Sequence, residues 1–226
     1  MSAARETILG RIAEALRLAA PRPHLSSDVP AGTPAKVGKA WLPEGGDDEE
    51  GRLALLEANL GKLRASLVRV PDAPAAAAAL ARLAAERGWK RLALHRGELT
   101  ETVARGLPCE TWCVDDGFDK DRLEACDAGL TACESLVAQT GSLLVSSASN
   151  GGRALSILPH VHVVVARRQQ VLPDLEAALA DARARHGGAL PSMLGFITGP
   201  SRTGDIERIL VLGAHGPKEL HVILIG

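Results

Sequence analysis

Hydrophobic positions along this chain change rhythm twice. Near the start, Ile8, Ile12 and Leu16 recur every four residues, and Leu9 and Ala13 widen the stripe. That spacing predicts an amphipathic helix over 5–18. An apolar stripe on a charged helix docks on its own domain or on a partner. Residues 21–46 then lose all periodicity. Pro21, Pro23, Pro30, Pro34 and Pro43 exclude a helix and predict an extended arm, with Trp41 as its anchor. From Asp47 the pattern becomes regular. Asp47 and Glu50 have capping-box spacing and open a helix bearing Leu53, Leu56, Leu60 and Leu63. A strand over 66–70 follows, then an Ala-rich helix over 74–87, begun by Pro74 and closed by Gly88. Strands over 90–95 and 110–114, helices over 98–105 and 119–125, and a weak strand over 128–131 continue the alternation. This is the signature of parallel βαβ units.

The second half has a different beat. Strands over 143–146, 161–166, 194–198, 209–212 and 221–225 are separated by loops, and only 173–186 reads as a long helix. A run such as Val163-Val164-Val165 belongs to a strand covered on both faces. The fold class is therefore α/β, a mostly parallel sheet flanked by helices. An N-terminal helix and arm occupy 1–46 and the α/β domain 47–226.

Composition narrows the function. Twenty-six basic and 27 acidic residues leave a net charge of −1, which gives no electrostatic footprint for nucleic acid or membrane. Glu6 and Glu14 interrupt any apolar leader, and no run approaches a membrane span. The expectation is a soluble, cytoplasmic protein. Cys109, Cys113, Cys126 and Cys133 match no metal or cluster spacing and read as buried thiols. His160 and His162 alternate along one strand and share a face, with no third ligand beside them.

Chemistry concentrates in four loops after residue 138. Thr140-Gly141-Ser142 offers backbone amides and two hydroxyls to an anion, or is an ordinary turn. Residues 146–153 are small, so a backbone can approach a ligand, and end at Arg153. Gly199-Pro200-Ser201-Arg202-Thr203-Gly204-Asp205 brings hydroxyls, a guanidinium and a carboxylate together. Gly213 to Lys218 holds His215 and Gly216 between two strands, with His215 a general base or a loop tie. These loops are expected to meet at the carboxyl edge of a single sheet. The candidate site is Asp205 and His215 for proton handling, with Thr140, Gly141, Ser142, Gly199, Ser201, Arg202, Thr203 and Gly216 for ligand binding.

The segments CESLVAQTGSLLV, RALSILPHVHVVV and ITGPSRTGDIERILVLGAHGPKELHVILI resemble the lactate-utilisation (LUD) domain family. The start, ARETILGRIAEALR with its Pro-rich arm, is similar too. The resemblance implies a fold like that of NagB, RpiA and the CoA transferases. It also implies an accessory or substrate-binding role in bacterial oxidation of L-lactate to pyruvate. Iron–sulfur oxidoreductase subunits would be the partners and hold the clusters, with no cofactor bound directly by this chain and a small anion as its ligand. The family has glutamate where this chain has Gln139, and an amide does not replace a carboxylate nucleophile. Two other readings stay open: a stand-alone enzyme acting on a sugar phosphate or related anion, and an assembly factor docking through the N-terminal helix.

Overall fold

The computed structural model describes residues 3–15, 17, 43–187, 189–203, 211–213 and 215–226. The chain divides into two compact units, 1–42 and 43–226. In the first, α1 spans Ala3–Ala15, ending before the expected 18. Trp41 and most of the arm lie outside the described residues.

The second unit begins with α2 (Glu49–Lys62), and its cap is Asp48, one residue later than the spacing predicted. Asp48 accepts from the Gly51 amide at 2.7 Å. The same device, an aspartate accepting from the amide three residues on, opens α3 (Ala73–Arg87), α5 (Lys120–Glu124) and α6 (Leu175–Arg185) at Asp72, Asp119 and Asp174. The short α4 (Glu98–Ala104) has Gly97 as its cap. Leu53, Leu56 and Leu60 are fully buried, each stabilising the unit by roughly 1.5–3 kcal/mol.

Six strands form a wholly parallel main sheet. They are β1 (Ser66–Val70), β2 (Arg91–Leu94), β3 (Glu110–Cys113), β4 (Ala128–Thr131), β7 (Val161–Arg167) and β12 (Glu219–Ile225), in the order β1-β12-β7-β4-β2-β3. The strand that read as weak, β4, is buried at every position. On β7, Val163 and Val165 pack toward α3 while Val164 and Ala166 face the other core, so this run is covered on both sides.

A single sheet was the expectation, and the structure has a second. Here β5 (Ser135–Val137), β6 (Ser142–Ser146), β8 (Val171–Leu172) and β9 (Leu194–Ile197) are ordered β8-β5-β6-β9, with β6 antiparallel to both neighbours. Alternation decides what each face of this sheet does. Leu143, Val145 and Ile197 face the main sheet, whereas Leu144 and Leu194 pack on Ala178 and Ala182 of α6. A two-stranded ribbon, β10 (Arg202–Thr203) with β11 (Val211–Leu212), completes the fold. Among the described residues no helix is long and apolar enough to cross a membrane.

His160 and His162 do not share a face. His160 precedes β7 and is exposed, and its carbonyl accepts from the Lys218 amide at 2.8 Å. His162 is buried, with Nε2 2.8 Å from the Thr131 hydroxyl. Burial holds its imidazole down to about 3 from an ordinary 6.5, and burial also lowers His95. His162 stays neutral in the folded chain and takes up a proton only on unfolding. Stability is therefore full above pH 6.5 and declines as pH falls toward the folded value. Denaturant titrations should show a loss from His162 that begins near pH 6.5 and steepens below it toward about 1.4 kcal/mol per pH unit. The substitution His162→Gln should flatten that slope, and an unchanged slope contradicts the assignment.

Gly129 of β4 fixes the turn that feeds the site. A Cβ there would stand 2.4 Å from the Leu155 carbonyl oxygen, a backbone atom with nowhere to go. Gly129→Ala should cost about 1–3 kcal/mol in urea unfolding. An unshifted midpoint would show that the turn over 154–156 is free to move.

Candidate functional site

Three of the four loops converge, but not where expected. They meet at the amino-terminal ends of β7 and β12, facing β6 and β9, rather than at the carboxyl edge of the main sheet. The reason is local. After β9, Gly199 adopts φ +81 and lies against Leu63, where a Cβ would approach within 3.0 Å of the Leu63 Cβ. That bend delivers Ser201 to the last loop. The Ser201 amide donates to the Pro217 carbonyl at 2.8 Å, and the Ser201 carbonyl accepts from Gly213 at 2.9 Å. A Cβ on Gly216 would sit 3.2 Å from that of Ser201, so the two loops touch directly.

The result is a cavity of about 430 Å³. One wall is polar: Ser156, Ser201, Arg202, His215 and, from the second loop, Arg153. The other is apolar: Val145, Ile157, Met193, Ile197 and Phe196. Gly195, Gly199, Gly216 and Pro217 complete the lining. A smaller hollow of about 20 Å³ behind Ser156 and Ser201 reaches His162.

Both arginines are exposed at the rim. Arg153 reaches the Ser192 carbonyl only at 3.5 Å. Among the described residues, Glu134 is engaged with Arg185 and Glu219 with Arg87. Among the described residues none pairs with Arg153 or Arg202. Two guanidinium groups beside hydroxyls, with no carboxylate partner among the described residues, suit a carboxylate or phosphate.

Of the candidate residues, Gly199, Ser201, Arg202, His215 and Gly216 line this cavity. Thr203 lies on β10 beside it in sequence, and Asp205 lies outside the described residues. Thr140, Gly141 and Ser142 are not part of the lining, and alternation explains why. Ser142 shares the α6 face of its sheet with Leu144, opposite to cavity-facing Val145. Its hydroxyl is spent on Thr140 and Thr198, each at 2.8 Å. Gly141, at φ +66, allows close approach to α2, where a Cβ would stand 3.1 Å from Asn59 backbone. Asn59 donates to the carbonyls of Ala138 and Gln139 at 2.9 and 3.0 Å, and the Gln139 side chain donates to Pro43. This loop is a structural joint.

The small residues of 146–153 have a similar explanation. A Cβ on Gly151, at φ +57, would stand 2.6 Å from the Cβ of His95. The glycine admits the end of β2 rather than a ligand. Buried Asn150 donates to the Ser156 hydroxyl at 2.7 Å and so fixes the turn that presents Ser156.

Sequence reasoning missed Ser156, Ile157, Met193 and Phe196. Only the last two carried a signal, as apolar residues in and just before a strand that also holds a glycine. It missed two further polar chains. Buried Glu134 accepts from Ser146 and lies 3.5 Å from Arg185 and 3.4 Å from His186. Across β1 and β12, Ser66, His221 and Glu219 link at 2.6 and 3.0 Å, with Arg87 on Glu219 at 2.8 Å. Cys126 and Cys133 are buried, and burial raises the Cys133 thiol to about 12. Among the described residues no three His, Cys, Asp or Glu side chains group as metal ligands.

Comparison with known proteins addresses family and fold. The LUD domain family model matches residues 53–225. Lactate utilization protein C of Bacillus subtilis (strain 168) is 31% identical over 125 residues, 54% of this chain and 52% of that protein. Its namesake in Geobacillus kaustophilus is 33% identical over 107 residues, 46% of this chain and 45% of that protein. The chain thus spans about half the length of the curated relatives it matches. A crystal structure of a DUF162 family protein from Deinococcus radiodurans superposes with a TM-score of 0.65 at 23% identity, covering 80% of this chain and 99% of that one. The likeness to that structure shows the fold, an α/β unit with a mostly parallel sheet flanked by helices. With the family model spanning both sheets and the whole cavity wall, the chain belongs to the LUD domain family.

Proposed function

We propose that this chain is a substrate-binding, accessory subunit of a bacterial system that oxidises L-lactate to pyruvate. The single observation that supports this reading most is the pair of arginines, Arg153 and Arg202, at one cavity with no carboxylate partner among the described residues. A 2-hydroxy acid has a carboxylate for such a pair and a hydroxyl for a neighbouring group. Arg202 and Arg153 hold the carboxylate. Ser201, clamped through its own backbone, orients the ligand, and the exposed His215 exchanges a proton with the hydroxyl or holds it by a hydrogen bond. Asp205, in the connection between β10 and β11, is the further proton-handling candidate from the sequence. Electrons leave through separate iron–sulfur oxidoreductase subunits, the partners this reading requires. The relatives named for lactate utilization supply the substrate class.

The test separates binding from folding. The double variant Ser201→Ala/Arg202→Ala should bind lactate at least about tenfold more weakly, the scale of a lost charge-assisted hydrogen bond. It should also fail to restore growth on lactate in a complementation assay while its melting temperature stays unchanged. Normal growth and unchanged binding would remove both residues from the site.

A further inference from the structure

The cavity is far larger than a three-carbon acid requires. About 430 Å³ lies in the range of sites that enclose much bigger molecules. Most of its far wall is apolar, so a small hydrophilic ligand at the arginines would leave that wall wet.

Gly195 is the telling residue. It sits mid-strand in β9, directly across from Val145, at a position where alternation turns a side chain toward the main sheet and the cavity. Its φ is not in the left-handed region, so the backbone does not require glycine. Packing does not require it either. A Cβ there would meet only Met193 Sδ, at an ordinary 3.8 Å. What the missing side chain leaves is a notch beside Met193 and across from Val145, in a cavity that Ile157 also lines. Ile157 is 48% exposed and belongs to no buried cluster, so a large apolar side chain stands unpartnered at the mouth.

We infer that the cavity takes a carboxylate bearing an apolar tail longer than the methyl group of lactate. The head lies between Arg153 and Arg202, and the tail lies along Ile157 and Met193 in the Gly195 notch. This rests on the anion-site reading above and adds the ligand's size and character. Substituting the notch is structurally gentle, because the strand geometry and the space both accept a side chain.

Isothermal titration of the full chain with lactate and with 2-hydroxyhexanoate tests it. Each methylene that leaves water is worth up to about fourfold in affinity, so the six-carbon acid should bind at least about tenfold more tightly. Gly195→Val should leave lactate binding within about twofold and bring the longer acid down to lactate's level. Ile157→Ser provides a second variant at a half-exposed position, with the same direction expected, should Gly195→Val melt early. Equal or weaker binding of the longer acid beside measurable lactate binding overturns the tail site and leaves the anion site standing. Binding of neither acid overturns the anion site and the tail with it. A longer acid that binds tightly and ignores both substitutions overturns the placement of its tail.

Discussion

Everything at the candidate site depends on two backbone hydrogen bonds at Ser201. Its amide and carbonyl are taken by opposite sides of the last loop, at Pro217 and Gly213. That clamp joins the exit of β9, an edge of the second sheet, to the entrance of β12 in the middle of the main sheet. Without it the two sheets would share a core but no cavity. With it, Ser201, Arg202, His215 and Gly216 are held against residues 153–157, which reach the same place from β6. The clamp uses backbone alone and engages neither the Ser201 hydroxyl nor the Arg202 guanidinium.

The second sheet sorts its polar groups by face. Hydroxyls on the α6 side, Ser142 and Thr198, satisfy each other and seal a joint. The cavity side carries Val145, Ile197 and the bare Gly195. Polar chemistry is thus confined to the loops at the rim, while the strands contribute shape. That division matches the general habit of placing recognition on loops held by a rigid scaffold.

Much of this was legible in the amino-acid sequence. Strand and helix periods in the first half located nearly every element, because each βα unit buries one helix stripe and one strand face. The third and fourth loops were readable because hydroxyl, guanidinium and imidazole groups crowd a few glycines. The misreadings have physical causes. β5 is three residues long, too short for a period to register, so the second sheet stayed hidden and a single sheet was inferred. With one sheet, the carboxyl edge was the natural meeting place. With two, the amino-terminal ends of β7 and β12 are the ends that face β6 and β9. Thr140-Gly141-Ser142 looked like an anion turn because its residue types suit one. Its actual partner, Asn59, lies about eighty positions earlier and no local pattern announces it. Gly151 likewise answers to His95 across the fold.

The central claim is that Arg153 and Arg202, brought to one cavity by the Ser201 clamp, hold a carboxylate. A crystal of the full chain soaked with lactate addresses it most directly. The account predicts carboxylate density within hydrogen-bonding distance of both guanidinium groups, with Ser201 or His215 at the hydroxyl. Density at another surface, or an empty cavity at saturating lactate, would contradict it.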